Sequence, residues 1–308
     1  VARLKPINIG GVIVSNATLH NFDEITRKDI RINDFVWVKR AGDVIPYVSR
    51  VDIEKRKKSN KKFVIPKNCL CGSKIVKIKD EAVQRCSAGK NKCKYQNLES
   101  FKHFVSKKAM NIDGLGEKLI EKFISLNLIS SKLDIYKLEN HKDKIITLDG
   151  FGEKSFLNLI DSINKSKITN LSRYLFSLGL RYLGENNSEL ISMYFKNKTR
   201  FKNFIQSKKL REKLENIDGL GEKAISSFVN YFSDEINIEE SFALLDVIEI
   251  IENKDSKISL NKSILFTGTL QNMSRDRAKE LAKKKGYKIA SNVSKNLDIL
   301  VFGEKSGS

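Results

Sequence analysis

A six-residue string, Asp-Gly-(Leu or Phe)-Gly-Glu-Lys, occurs three times in this 308-residue chain, at residues 113–118, 149–154 and 218–223. Each copy is followed by an apolar pattern of helical spacing, and the segment 177–184 fills the third of four positions as a diverged copy. The last glycines of the four copies fall 36, 32 and 37 residues apart. Self-similarity at a nearly constant period is typical of tandem supersecondary units, so four such units are predicted.

A Gly-apolar-Gly turn that opens a helix suits the binding of an anion. Glycine allows a close backbone approach and a positive φ. The first N–H groups of the helix have no partner within it and therefore point at an arriving anion. A phosphodiester fits this description. The alternative is that the glycines only end helices as C-caps, but three near-identical copies in a basic chain favour the phosphate site.

These turns resemble the helix-hairpin-helix motif, which holds the DNA backbone across the minor groove without reading bases. Four tandem copies resemble the helix-hairpin-helix domain of bacterial NAD-dependent DNA ligases, which implies such an all-α domain over residues 99–252. The lysines of the strings would add charge beside the phosphate. The resemblance implies DNA contacts from Gly114, Gly116, Lys118, Gly150, Gly152, Lys154, Gly179, Gly184, Gly219, Gly221 and Lys223.

The net charge of the chain suits a polyanionic partner. It contains 57 Lys and Arg residues against 37 Asp and Glu, which gives +20. Lys, Ile and Asn are abundant throughout and Pro occurs only 3 times, a bias that AT-rich coding also produces. Part of the positive charge therefore reflects this general bias. No apolar run reaches the length of a membrane span, and no charged-then-apolar leader opens the chain. We therefore expect a monomeric, soluble protein of the bacterial cytoplasm that begins, at Val1, inside a longer protein.

Residues 1–58 carry short alternating runs punctuated by Gly, Asn and Pro, which predict strands. A small antiparallel barrel is the natural closed arrangement for so short a β segment. Trp37 alternates with its neighbours in strand register, so it is predicted to lie in the barrel core rather than to act as a base-stacking platform.

Three strings in this region, at residues 15–21, 28–31 and 39–46, resemble the OB-fold domain of the same ligases. The resemblance implies a DNA-binding OB domain over these first 58 residues. It also implies DNA contacts from Lys39 and Arg40.

All four cysteines lie within 25 residues, and in a basic intracellular chain this favours a four-thiolate zinc site over disulfides. The metal would replace the core that the short segment 59–98 cannot build for itself. The spacings Cys-x-Cys and Cys-x6-Cys differ from the usual Cys-x2-Cys of the family, so an apo, degenerate finger is the alternative. His103 is a candidate substitute ligand. The predicted ligands are Cys69, Cys71, Cys86 and Cys93.

The last part of the chain follows a polar segment, 253–259, that is typical of a linker. The pattern after it predicts a strand, a helix and two further strands, at 263–270, 275–285, 287–290 and 297–302. This βαββ order and its sequence resemble a BRCT domain over residues 258–308. The domain is expected to lack its later helices and last strand.

The order of these regions predicts a multidomain α+β protein with an OB β-barrel, a zinc finger, an all-α domain and a partial α/β BRCT domain. It resembles the C-terminal half of NAD-dependent DNA ligase. The resemblance implies a parent enzyme that seals nicks in duplex DNA during replication and repair. That family adenylates a lysine from NAD, passes AMP to the 5′-phosphate and displaces it with the 3′-hydroxyl. Zinc is thus implied for this chain, and NAD and magnesium for the full-length enzyme.

Nucleophilic lysine chemistry of this kind needs a Lys-x-Asp-Gly pocket. This sequence contains none, because residues 111–114 and 216–219 carry Asn in place of the lysine. We therefore predict no catalytic residue here, and expect the chain to clamp nicked duplex DNA and to seal it only with a missing N-terminal adenylation domain.

An alternative of another class is a non-catalytic helix-hairpin-helix DNA-binding or repair scaffold protein. The sequence upstream of this chain distinguishes the two. A nuclease subunit is not supported, because no carboxylate cluster of metal-binding type accompanies the repeats.

Overall fold

The computed structural model of the chain describes residues 1–41, 45–78, 81, 83–207, 209–251, 262–294 and 297–304. It contains two compact units, Val1–Ser100 and Phe101–Ser308. Among the described residues, no helix combines the length and the apolar character that crossing a membrane requires.

The first unit opens with two antiparallel hairpins. Their strands are β1 (Ala2–Ile9), β2 (Val12–Ala17), β3 (Val36–Ala41) and β4 (Ile45–Val51). An isolated bridge between Thr18 and Tyr47 joins the hairpins, and Val14, Ala17 and Val48 are buried beneath them. The expected barrel is therefore represented, in the described part of the region, by two bridged hairpins.

Trp37 does not lie in a core, contrary to the prediction. Its side chain is 53% exposed, and the Arg50 guanidinium lies 4.9 Å from its ring centre. Strand alternation fixes only that Trp37 faces away from Val36 and Val38, and these two valines occupy the more protected face of β3. The prediction placed the wrong face of β3 in the core, because alternation alone does not show which face of a strand is packed against the rest of the protein.

A short helix and an ion-pair cluster complete this region. Helix α1 (Phe22–Arg27) begins at Asn21, whose side-chain oxygen accepts a hydrogen bond from the Glu24 N–H at 2.9 Å. The Asp34 side chain is only 1% exposed and accepts hydrogen bonds from Arg56, at 2.7 Å, and Asn60, at 2.9 Å. These contacts attach the segment after β4 to the loop before β3.

The cysteine region contains one small hairpin and the start of a helix. Strands β5 (Ile75–Lys77) and β6 (Gln84–Cys86) pair antiparallel, with Ile75 opposite Cys86. Helix α2 (Lys94–Val105) begins directly after Cys93 and continues into the second unit.

The second unit is mainly helical up to residue 247, as predicted for residues 99–252. Amphipathic spacing forms its core; in the helix Glu153–Ser166, for example, Phe156, Leu159, Ile160 and Ile163 share the buried face. Two short strands, Ile168–Thr169 and Glu249–Ile250, pair in parallel. The elements are α3 (Glu117–Ser125), α4 (Lys132–Ile135), a 3-10 turn (Leu138–His141), α5 (Lys142–Ile145), α6 (Glu153–Ser166), β7 (Ile168–Thr169), α7 (Leu171–Ser177), α8 (Glu185–Phe195), α9 (Lys198–Ile205), α10 (Leu210–Glu215), α11 (Glu222–Tyr231), α12 (Glu235–Val247) and β8 (Glu249–Ile250).

The end of the described chain has the predicted strand, helix, strand, strand order. It comprises β9 (Ser263–Thr267), α13 (Arg275–Lys284), β10 (Lys288–Ile289) and β11 (Ile299–Phe302). Both later strands pair parallel with β9, which lies at the centre of the sheet. The predicted linker, 253–259, lies outside the described residues.

Candidate nucleic-acid interface and metal centre

The four repeated strings form four turns of similar geometry, at residues 113–116, 149–152, 181–184 and 218–221, and each turn leads into a helix. The last glycine of each turn is the N-cap of that helix. Its φ lies between −74° and −90° with an extended ψ, and no side chain caps the helix there. A Cβ added at any of these positions would meet nothing within 4 Å. The space beside the first N–H groups is therefore open. The four N-caps are Gly116, Gly152, Gly184 and Gly221.

The positive φ values belong to the residue two positions earlier. Gly114, Gly150 and Gly219 have φ values of +87°, +73° and +81°, a region that favours glycine. The two glycines of each string thus have different tasks: the first makes the turn, and the second leaves room in front of the helix. The repeated string alone predicts both properties for the turn as a whole, and the structure divides them between its two glycines.

The third turn reaches the same geometry without a first glycine. Tyr182, two residues before Gly184, has a φ of +60° and takes the place of Gly114, Gly150 and Gly219. Gly179, which was predicted for that place, instead follows α7, and its N–H donates to the Phe176 carbonyl oxygen at 3.1 Å. With a φ of +71° directly after the C-cap Leu178, it ends α7, which is the helix-ending role that the alternative gave to the glycines. Aligning 183–185 with 115–117 would have revealed this register.

His103 is also placed away from its predicted role. Its Nε2 atom donates to the Phe176 carbonyl oxygen at 2.7 Å, and its ring lies 4.7 Å from the Phe176 ring centre. A Cβ added to Gly179 would lie 3.2 Å from the His103 Cδ2 atom. His103 is therefore a packing residue at the end of α7 and not a substitute metal ligand.

The turns occur in two pairs. The N–H of Asp113, in the first turn, donates to the Ser162 Oγ atom of α6 at 2.7 Å, and α6 is the helix that follows the second turn. A Cβ on Gly219, in the fourth turn, would lie 3.5 Å from a Leu190 methyl group of α8, the helix that follows the third turn. In each pair, therefore, one turn packs against the helix that follows the other turn.

A glutamate occupies the first position of every helix that follows a turn, and each glutamate has a basic partner. Hydrogen bonds from Lys142 and Arg211 hold the pKa values of Glu153 and Glu222 below their usual range. Because their charge is already matched, the glutamates oppose an incoming anion less than unpaired carboxylates would. The pairs are Glu117–Lys102 at 3.1 Å, Glu153–Lys142 at 2.8 Å, Glu185–Lys108 at 2.7 Å and Glu222–Arg211 at 2.8 Å.

The predicted lysines are exposed at the second helical position of three turns: Lys118, Lys154 and Lys223. Asn186 takes this position in the third turn. In the first unit, Lys39 and Arg40 alternate on β3. Lys39 is exposed, whereas Arg40 is half-buried and donates to the Ile9 carbonyl oxygen at 3.4 Å. The two side chains therefore lie on opposite faces of the strand.

The four cysteine sulfurs converge, and all lie within 4.8 Å of one another. Cys69 and Cys93 are 3.8 Å apart, and Cys71 and Cys86 are 3.5 Å apart. Four thiolates bonded to zinc at about 2.3 Å would lie roughly 3.8 Å apart. The sulfur positions therefore fit the tetrahedral coordination of a metal ion. The short Cys-x-Cys spacing is accommodated by exposing Leu70.

Hydrogen bonding within the cluster favours ionised sulfur at one position. The hydroxyl and the N–H of Ser73 lower the pKa of the Cys71 thiol to about 6. The Ala88 N–H acts to lower the pKa of Cys86, but burial and the neighbouring thiols outweigh it and raise this pKa to about 12. Adjacent thiolates repel one another, and a divalent cation relieves that repulsion.

Two parts of the chain match models of known protein families. Residues 1–60 match the family model of the NAD-dependent DNA ligase OB-fold domain. Residues 254–308 match that of the BRCA1 C Terminus (BRCT) domain.

The whole chain is similar to bacterial proteins named DNA ligase. It is 45% identical to that of Pelagibacter ubique over 318 residues, which cover 99% of this chain. It is 41% and 42% identical to those of Rickettsia bellii and Rickettsia rickettsii over its full length. It spans about half, 46%, of the length of each of these curated relatives. The chain is therefore similar over its whole length to part of bacterial proteins named DNA ligase, and its first 60 residues are similar to the OB-fold domain of the NAD-dependent kind.

Proposed function

We propose that this chain is the DNA-clamping, C-terminal portion of an NAD-dependent DNA ligase that seals nicks in duplex DNA. The observation that carries the proposal is the similarity of the whole chain to bacterial DNA ligases at 41–45% identity. In this proposal the protein acts in the bacterial cytoplasm, during replication and repair. NAD supplies the adenylate, with magnesium, at a part of the enzyme outside this chain.

The clamp rests on the four turns, which we infer to be helix-hairpin-helix units. The open N–H groups after Gly116, Gly152, Gly184 and Gly221 bind phosphate oxygens of the duplex. Backbone donors make the same contact with every nucleotide, so the grip does not depend on base sequence. That property suits a ligase, because nicks occur at any sequence.

The lysines and the metal have supporting roles in this proposal. Lys118, Lys154 and Lys223 add positive charge beside the bound phosphates. Zinc, held by the four thiolates, stabilises the segment between the strands of the first unit and α2. It has a structural role, because four protein ligands leave no open position for substrate.

A chimeric ligase tests the proposed function. This chain, fused in place of the equivalent segment of the Pelagibacter ubique ligase, should restore NAD-dependent sealing of a nicked duplex. A matched chimera with valine at Gly116, Gly152 and Gly221 should form the AMP adduct but seal poorly. The chain alone should form no radiolabelled AMP adduct, because its sequence lacks Lys-x-Asp-Gly. A chimera that forms the adduct but fails to seal, under conditions where the parent ligase seals, would favour the scaffold alternative.

A further inference from the structure

Tyr182 stands where the other three turns carry glycine. Its φ of +60° is a conformation that bulky side chains adopt rarely and at a cost in energy. The turns at 113–116, 149–152 and 218–221 avoid this cost with glycine. A residue that keeps a strained backbone where glycine serves elsewhere in the same chain suggests a task for its side chain.

Packing does not supply that task. The Tyr182 side chain is 43% exposed, whereas its neighbours Leu180 and Leu183 are 9% and 2% exposed and belong to the core. The tyrosine ring is therefore presented at the surface, beside the start of α8, while the leucines on either side anchor the turn.

The ring is held between two turns. The Asn187 Nδ2 atom donates to the Tyr182 carbonyl oxygen at 2.7 Å, which fixes the backbone of the third turn. The Lys223 ammonium, in the first turn of α11, lies 5.7 Å from the centre of the Tyr182 ring. The ring thus spans the space between the third and fourth turns, and a cation–π contact attaches it to the fourth.

This position matters because of what the two turns hold in the proposed function, on which this inference rests. If the third and fourth turns each grip one strand across the minor groove, the groove passes between them. A flat ring there meets the deoxyribose faces that line the groove, and other DNA-binding proteins also insert apolar side chains into the minor groove. Sugar contacts carry no sequence information, so the ring is compatible with a sequence-independent clamp.

The third turn carries its positive charge at a different position. Asn186 takes the position of the lysines of the other turns, whereas Arg181 stands where those turns carry aspartate. The ring contact also orients Lys223, the lysine of the fourth turn. We propose that Tyr182 is a DNA-contacting residue that enters the minor groove between the third and fourth turns and lies against the sugars there.

The test compares the parent chain with the Tyr182→Gly and Tyr182→Phe variants on a nicked duplex. Glycine accepts the positive φ, so Tyr182→Gly should unfold at the same or a higher temperature than the parent. It should nevertheless bind DNA more weakly, on the order of tenfold. Tyr182→Phe keeps the ring and should bind nearly as the parent does. Tyr194→Ala is the matched control: Tyr194 is 44% exposed, near the far end of α8, and its loss should leave binding unchanged.

Hydroxyl-radical footprinting gives a readout that a merely structural role would not change, because the radical attacks sugars from the minor groove. The parent should protect sugars at the third and fourth turns, and Tyr182→Gly should lose protection there alone. Equal binding and an equal footprint for Tyr182→Gly would overturn the inference, as would a variant that binds weakly only because it is destabilised. A parent that does not bind DNA would overturn the proposed function as well, so the two failures are distinguishable.

Discussion

For single residues, substitution of the two glycines of a turn is expected to have different effects: the first affects stability, and the second affects DNA binding. Gly219→Val puts a branched residue at a φ of +81° beside Leu190 and should destabilise the fold by about 1–3 kcal/mol. In Gly221→Val the new side chain projects into open space. The denaturation midpoint should therefore stay near that of the parent, while DNA binding falls sharply. Lys223→Ala should weaken binding less, because it removes one screened charge.

Denaturation curves and nicked-duplex titrations measure both effects. The reverse pattern, with Gly221→Val folded and binding normally while Lys223→Ala fails, would mean that the turn does not hold phosphate through its backbone.

The buried Asp34 carboxylate should make the stability of the first unit dependent on pH. Burial acts to raise the pKa of Asp34, but hydrogen bonds from Arg56, Asn60 and the Arg31 N–H outweigh it and hold this pKa below its usual value. A carboxylate with a lowered folded-state pKa stabilises the fold above its unfolded pKa, near about 3.9, and this contribution is lost as the pH falls through the folded pKa.

Thermal denaturation of the parent and of Asp34→Asn, measured between about pH 3 and pH 6, checks this expectation. The variant should be less stable than the parent at the higher pH, and the two should converge as the solution becomes acidic. Asp23→Asn is the control, because the Asp23 side chain is 55% exposed in its ion pair with Lys77 and such pairs contribute little. Parallel curves for parent and Asp34→Asn would contradict the assignment.

The residues that sequence reasoning misplaced share a cause, which is that residue type was used where backbone conformation or burial decides. Gly179 was chosen for the third turn because it is a glycine, yet the required positive φ belongs to Tyr182. Trp37 was placed in a core because aromatic residues usually are, although its face of β3 is exposed. The cluster around Arg56 joins residues 22 and 27 positions apart, so no local pattern could reveal it.

Among the helices, the ion pair at each helix start should control how tightly that helix binds phosphate. Arg211→Ala leaves Glu222 with less matching charge beside the bound anion, and should weaken DNA binding roughly two- to fivefold. Glu222→Gln should strengthen binding by a similar factor, because a repulsive charge is removed.

The double variant separates charge from packing. If charge is the cause, Arg211→Ala combined with Glu222→Gln should bind nearly as the parent does in titrations at low salt. A double variant as weak as Arg211→Ala alone would show that the arginine acts in another way.

The cysteine segment should hold its structure only with metal. Freshly purified protein should contain about one zinc ion per chain. A chelator should increase hydrogen exchange in β5, β6 and the first turn of α2, which starts directly after Cys93. Exchange in α6 and α11 should not change. Less than about a tenth of an equivalent of zinc in elemental analysis would indicate the degenerate finger instead.

Elements with strong periodicity were predictable, and short ones were not. The strands and helix of the last region lie within a few residues of their predicted bounds, because their apolar runs are flanked by glycine turns. Helix α1 was missed because six residues carry too little periodicity. Its signal was the pair Asn21 and Glu24, spaced as an N-cap and the third helical position.

In the whole molecule, a net charge of +20 is combined with four turns that expose backbone donors. Charge alone would attract any polyanion. The turns add the expectation that the bound partner is a regular phosphate backbone, because their spacing is fixed in pairs by contacts such as that of Asp113 with α6.

Binding of the whole chain to nicked duplexes, titrated at several salt concentrations, tests this claim most directly. If each turn neutralises at least one phosphate, the logarithm of the affinity should fall with the logarithm of salt concentration with a slope of about 3.5 or steeper. Nicked duplexes rich in A·T and in G·C should bind within about twofold of each other, since backbone contacts carry no base information. A slope near zero, or an affinity governed by base sequence, would contradict the proposal that the four turns clamp the DNA backbone.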